Sequence, residues 1–235
     1  MTDSRTQRKV GVLGRLGVYP AQRLSGAGRR VLAYMAVKGP VVLRSLTCMN
    51  LWPSLPEDRA RANLRRTLWQ LSPGWVVASS WELRLMAEVD LDDAHEIAAL
   101  ATTSTPLEPR QVELLKRDLL PGWYEEWLVP EQDQFHLQRI QALEKVCRVA
   151  TEAQDFGLAT SAGLAAVCAE PLRESAVTAL VAAHLGEGNR YEAVRRYHEY
   201  ASVLRRELDV EPGAELAALM SPFAAAEPKS RLVRG

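Results

Sequence analysis

Apolar spacing switches three times along this 235-residue chain, and each switch marks a different kind of element. Residues 10–24 (VGVLGRLGVYPAQRL) alternate in short runs broken by Gly11, Gly14, Gly17 and Pro20, the pattern of two or three small antiparallel strands. The glycines do not lead from a strand into a nucleotide-binding helix, so no phosphate loop is read there. After Ser25-Gly26 the spacing becomes helical. Val31, Leu32, Met35 and Ala36 predict a first helix, stopped by Gly39-Pro40, and LRSLTCMNLW predicts a shorter second one. Its inward face is expected to carry Leu43, Leu46, Met49 and Leu51 or Trp52. Pro53 and Pro56 bracket a tight connection, and Glu57-Asp58 favour a helix start.

The third helix, EDRARANLRRTLWQL, has a sharply divided surface. At about 100° per residue, Ala60, Leu64, Thr67, Leu68 and Leu71 share one arc and predict the buried stripe. Arg59, Ala62, Asn63, Arg65, Arg66 and Gln70 take the opposite side, with Arg61 at the border. Ser72-Pro73-Gly74 ends the helix. Alternation then returns in VVASS and LRLMAEVDLD, two strands of a β-hairpin joined at Trp81-Glu82. Small strands, three helices and a hairpin, in that order, predict a winged helix-turn-helix over residues 8–93.

Residues 94–109, ending in the polar ATTSTPLEP, read as a linker. The rest is helical, with elements expected at 108–120, 130–153, 155–169, 171–187, 189–209 and 213–223. Ala142/Ala176, Val146/Leu180, Val149/Ala183 and Ala159/Ala193 are each 34 residues apart, as are the connecting residues Asp155 and Asn189. Small residues repeating at that period suggest stacked helical hairpins of the tetratricopeptide kind over 110–223. Residues 224–235 carry no core pattern and read as a flexible tail. The fold class expected is mainly α: an N-terminal winged helix-turn-helix with small β-sheets and a C-terminal tetratricopeptide-like helical repeat.

Composition changes this picture through charge. Lys+Arg and Asp+Glu both number 29, yet residues 1–84 hold 14 basic and 4 acidic side chains (14 − 4 = +10), and residues 94–235 hold 15 and 21 (15 − 21 = −6). A basic module joined to an acidic one suggests a polyanion-binding domain fused to something else. The longest uncharged stretches, 67–81 and 156–169, are too short to span a bilayer, and MTDSRTQRK lacks the apolar core of a signal peptide. Cys48, Cys147 and Cys168 show no CxxC and read as small core residues in a reducing cytoplasm.

The basic helix is where chemistry can be placed. Arginine donates two hydrogen bonds to guanine, asparagine pairs similarly with adenine, and a helix fits the DNA major groove. Arg59, Asn63 and Arg66, at i, i+4 and i+7, are the candidate base-reading set, with Ala62 small enough for close approach. Arg61 and Arg65 are placed for phosphates. Arg29 and Arg30 at the first helix's start, Trp81 at the hairpin tip and Arg84 behind it complete the candidate backbone contacts, supplemented by Arg5, Arg8 and Lys9. Trp81 equally suits packing against the third helix near Trp69. His95, His136, His184 and His198 fall in different helices without an i+4 ligand partner, no serine sits in a nucleophile elbow, and Glu125-Glu126 read as surface residues. No enzymatic activity, metal or cofactor is expected.

The segments NLWPSLPEDRARANLRRTLWQLSPGWVV, LLPGWYEEWLVPEQDQFHLQRIQALEKV and PLRESAVTALVAAHLGEGNRYEAVRRYHEYASVLRRELDVEPGAEL resemble the actinobacterial antibiotic regulatory protein (SARP) family. The resemblance covers about residues 8–222, and the ELDVEPGAEL ending is its most specific part. It implies a winged helix joined to a tetratricopeptide-like bacterial transcriptional activation domain, with Ala60–Arg65 (ARANLR) in the recognition helix. It further implies a cytoplasmic, nucleoid-associated activator of specialised-metabolite or other pathway genes. Such a protein binds direct repeats in promoter DNA, recruits RNA polymerase or its sigma subunit, and acts as a homodimer on DNA without membrane contact. With neither an ATPase nor a receiver domain, the chain would be the short form. Two other readings stay open: a protein-interaction adaptor without DNA binding, and a ligand groove lined by Tyr191, Tyr197 and Tyr200.

Overall fold

The computed structural model describes residues 8–103 and 106–224. Packing divides the chain into two units, Met1–Ala98 with Glu113–Arg139, and Ala99–Val112 with Ile140–Gly235. The expected tail falls outside the described residues from 225 onward, as does Arg5.

The first unit opens with β1 (Lys9–Gly11) and β2 (Gly17–Tyr19), an antiparallel pair. Then follow α1 (Gly26–Lys38), β3 (Val41–Leu43), α2 (Arg44–Leu51) and α3 (Glu57–Gln70). The Ser25 hydroxyl accepts from the Gly28 N–H and so caps α1; Gly39, at φ 108°, ends it in a conformation glycine adopts without strain. The hairpin is β4 (Val76–Ala78) and β5 (Glu82–Leu85), and β3 joins it to give the sheet order β3-β5-β4.

Three expectations change here. LRLMAEVDLD is not one strand. After β5 the chain makes β6 (Glu88–Val89), parallel to β1 in the other sheet, and enters α4 (Asp90–Thr102). The expected linker is therefore helical as far as Thr102, because Leu91, Ala94, Ile97, Ala98 and Ala101 all bury at helical spacing. Three aspartates in the first turn suit a helix N-terminus. Leu43, Leu46 and Met49 are exposed; Leu51 is buried as expected, and Thr47 and Cys48 are buried with it. Starting the helix at Arg44 sets that phase, and the Thr47 hydroxyl is satisfied by donating to the Leu43 carbonyl at 2.8 Å.

Residues 113–139 complete this unit's core. Leu13 bridges to Leu119, Leu120 N–H donates to the Val12 carbonyl, and the Gln132 amide donates to the carbonyls of Leu119 and Leu120. Leu119, Leu120, Trp127, Leu128 and Phe135 share one apolar cluster with Val31, Leu32 and Met35 of α1. Asp90 fastens the end of β1 by accepting from Val12 N–H at 2.7 Å and Leu13 N–H at 3.2 Å. Burial raises the carboxyl's pKa, and these two donors oppose the shift.

Helices α5 (Pro109–Leu115) and α6 (Val129–Glu152) contribute residues to both units. The helix expected at 108–120 thus stops five residues early, in a turn that carries Leu119 and Leu120 to the first unit's core. The second unit continues with α7 (Phe156–Ala169), α8 (Glu174–Glu187), α9 (Arg190–Leu208) and α10 (Ala214–Ala224). The repeat of 34 has a structural form. Asp155 caps α7 by accepting from Leu158 N–H, and Asn189 caps α9 by accepting from Glu192 N–H. Of the paired positions, all but Val149 are buried. A Cβ on Gly163 would lie 2.9 Å from Cys147 Sγ and 3.2 Å from Leu180, so glycine there lets α7 pack closely between α6 and α8. Cys147 is buried, whereas Cys168 is exposed and not the core residue expected.

Candidate nucleic-acid interface

α3 is built to hold one face down and leave the other clear. Ala60, Leu64, Thr67 and Leu71 are buried and Leu68 is half-buried, which is the predicted stripe. Thr67 is tolerated there because its hydroxyl donates to the Asn63 carbonyl at 2.8 Å. The helix starts after Pro56 without a side-chain cap, and Glu57 and Asp58 in its first turn favour that end electrostatically.

On the other side, Arg59, Ala62, Arg65, Arg66 and Gln70 are exposed and Asn63 is half-buried. Among the described residues, no ion pair or hydrogen bond engages the side chains of Arg59, Arg65 or Arg66. Arg61 pairs with Glu57 one turn earlier at 2.5 Å, with both side chains largely in solvent. Such a pair contributes little and exchanges readily for a stronger anion. Below this helix, burial raises the Cys48 thiol pKa, and Arg44 and Arg61 oppose the shift.

The hairpin shares its apolar cluster with α3 through Trp75, Leu83 and Leu85. Its tip is tied down twice by Arg44, a residue the sequence pattern did not single out: the guanidinium donates to the Ser79 carbonyl at 2.8 Å and the backbone N–H to the Trp81 carbonyl at 2.9 Å. Ser79 Oγ accepts from the N–H groups of Trp81 and Glu82, closing the turn. Trp81 is 80% exposed and Trp69 is 91% exposed, so neither ring packs in the core and the fold role considered for Trp81 does not hold. Arg84 is exposed on β5 between Val41 and Val77 of the flanking strands.

The basic residues before α2 divide. Arg29 is exposed, but Arg30 is committed to the fold: Nε and Nη2 donate to the two carboxylate oxygens of Glu125 at 2.7 and 3.0 Å. Glu125 also accepts from Trp127 Nε1 at 2.6 Å, so it is an internal anchor and not the surface residue expected. Arg8 lies over the Trp75 ring and Lys9 pairs with Glu88, so both are likewise engaged.

The tyrosines of the ligand-groove reading separate as well. Tyr200 is buried, with its hydroxyl against Glu174, and Tyr197 packs on the second unit's core; Tyr191 is exposed. Among the described residues no group of His, Cys, Asp and Glu is placed to hold a metal ion, and no helix is long and apolar enough to cross a membrane.

Comparison with known proteins agrees with this architecture. The family model of the bacterial transcriptional activator domain matches residues 114–222. A solved structure of Mycobacterium tuberculosis EmbR in complex with a low-affinity phosphopeptide aligns with a TM-score of 0.65 at 19% identity. The alignment covers 94% of this chain and 66% of that one, so the chain spans slightly less than two thirds of its length. No curated protein matches the sequence. These findings support the resemblance to SARP-type transcriptional regulators.

Proposed function

We propose that this chain is a transcriptional regulator of the SARP type, a reading its activator-domain match supports, and that it binds promoter DNA by laying α3 in the major groove. The observation that carries the reading is the exposed, unpaired guanidinium face of α3, in a module whose hairpin tip is also exposed. Arg59 and Arg66 supply bidentate donors for guanine, and Asn63 at the edge of the face supplies an amide for adenine. Arg61, Arg65, Arg29 and Arg84 serve the sugar–phosphate backbone, with Trp81 at the wing tip. Arg30 leaves the phosphate set because Glu125 holds it in a bidentate pair. Two protomers lie head to tail on direct repeats, and the activator domain engages RNA polymerase or its sigma subunit.

Selection of bound duplexes from a random library, followed by gel shifts, tests this. Arg66→Ala and Asn63→Ala each weaken the selected duplex by about 1–3 kcal/mol and relax preference at one base pair. Arg61→Ala weakens all duplexes alike and lowers the salt dependence. A protein-interaction adaptor would select no duplex and show no salt-dependent affinity for any.

A further inference from the structure

We infer that Trp69 is a sequence-reading residue that recognises the 5-methyl group of thymine in the major groove. The inference rests on the DNA reading above and names a contact that the arginines and Asn63 do not make.

Trp69 is 91% exposed, more than any other large apolar side chain among the described residues. An indole held almost wholly in water near the end of a 14-residue helix contributes nothing to the core. Its position gives it a use. With Ala60 at 0° and about 100° per residue, the buried stripe is centred near 30° and Trp69 stands at about 180°, close to opposite. Ala62 is at about 200°, Arg65 at about 140° and Arg66 at about 240°. Ala62, Arg65, Arg66 and Trp69 therefore form one i, i+3, i+4, i+7 rhombus at the crest of the exposed face, with the two unpaired arginines flanking the ring.

A crest that enters the major groove meets base edges, and the only apolar group there is the thymine methyl. The small Ala62 and the large Trp69 are about 10 Å apart along the axis, roughly three base-pair steps. The same helix thus presents polar donors on one flank and an apolar probe at its crest. Arg65 and Arg66 beside the ring favour a polyanion over an apolar protein surface as what covers it.

The test replaces each thymine of a selected duplex, one at a time, with uracil, which keeps every hydrogen-bonding group and removes only the methyl. The full-length protein and Trp69→Ala are titrated against the set at fixed salt, with Trp69→Phe as an apolar replacement. At one or two positions the wild type should lose about fourfold in affinity, the loss expected for one buried methyl. Trp69→Ala should bind the thymine and uracil duplexes equally, while melting unchanged because the ring supports no core. Trp69→Phe should keep part of the discrimination. A wild type that binds its selected duplex but ignores every thymine-to-uracil change overturns the inference and leaves the DNA reading standing. So does a Trp69→Ala variant that still discriminates, or one that loses only the second protomer's binding, which would place the indole at a protein contact. If no duplex is selected at all, the DNA reading itself fails, and the inference with it.

Discussion

Glu125→Ala removes the acceptor of three hydrogen bonds at once, two from Arg30 and one from Trp127. Trp127 is only 6% exposed, so its indole N–H would be left buried without a partner, at a cost of about 1–3 kcal/mol. The ion pair is partly solvated, with side-chain exposures of 34% for Arg30 and 22% for Glu125, and its loss adds about 1 kcal/mol after allowance for screening. The sum, about 2–4 kcal/mol, is a large part of the 5–15 kcal/mol typical of a domain. Glu126→Ala, one residue on at an exposed site, should change stability by less than about 0.5 kcal/mol. The chain supplies its own assay. All six tryptophans (52, 69, 75, 81, 123 and 127) belong to the first unit, so urea unfolding followed by their fluorescence reports that unit alone. Circular dichroism reports the helices of both. Glu125→Ala should lower the fluorescence midpoint and leave a later dichroism component in place. Equal midpoints for Glu125→Ala and Glu126→Ala would refute the clamp.

Other outcomes follow from the same geometry. Asp155→Ala and Asn189→Ala, each removing a capping acceptor, should destabilise the second unit by about 1 kcal/mol, visible in dichroism and absent from tryptophan fluorescence. Leu64→Ala, at a buried position, should cost about 2–5 kcal/mol in the first unit, while Arg66→Ala should leave unfolding unchanged and act only on duplex affinity. His184 is buried, and desolvation lowers its pKa below the ordinary 6.5, against Glu192 and Glu187, which raise it. The folded chain therefore binds its proton less readily than the unfolded one, so the second unit's stability is present above about pH 6.5 and declines as pH falls below it. Melting at pH 7.5 and 5.5 should show that decline in the wild type and a smaller one in His184→Gln.

Where local spacing determines structure, the sequence was enough to read it. The buried stripe of α3 is set by residues three and four apart, and the 34-residue repeat reappears as two N-caps and a set of buried small residues. The misreadings have physical origins too. The alternation Leu83, Leu85, Val89, Leu91 runs through a change of period, since the chain passes from strand to helix between Val89 and Asp90 and both conformations bury those side chains. The inward face of α2 keeps Leu51 but runs through Thr47 in place of Leu43, Leu46 and Met49, because a buried threonine satisfied by its own helix looks polar in sequence. Arg30 resembles Arg29 locally, and what separates them is a carboxylate 95 residues away. Trp69 was legible by angle, opposite the buried stripe, but an aromatic residue near a helix end is ordinarily assigned to packing.

Sequence likeness and folding divide this chain at different places. The activator-domain match begins at residue 114, yet residues 113–139 pack with the winged helix. The reason lies in α1. Leu32 and Met35 are fully buried, and the cluster that buries them includes Leu119, Leu120, Trp127, Leu128 and Phe135. Without those residues that side of the three-helix core would face water, and Arg30 and Lys38 would lose their carboxylate partners Glu125 and Glu131. A winged helix cut where the family resemblance changes is thus an incomplete folding unit. The stretch from Leu119 to Phe135 does structural work for the module that carries α3, so under the proposed function a substitution there should lower duplex affinity through the stability of α3 without any contact to the duplex.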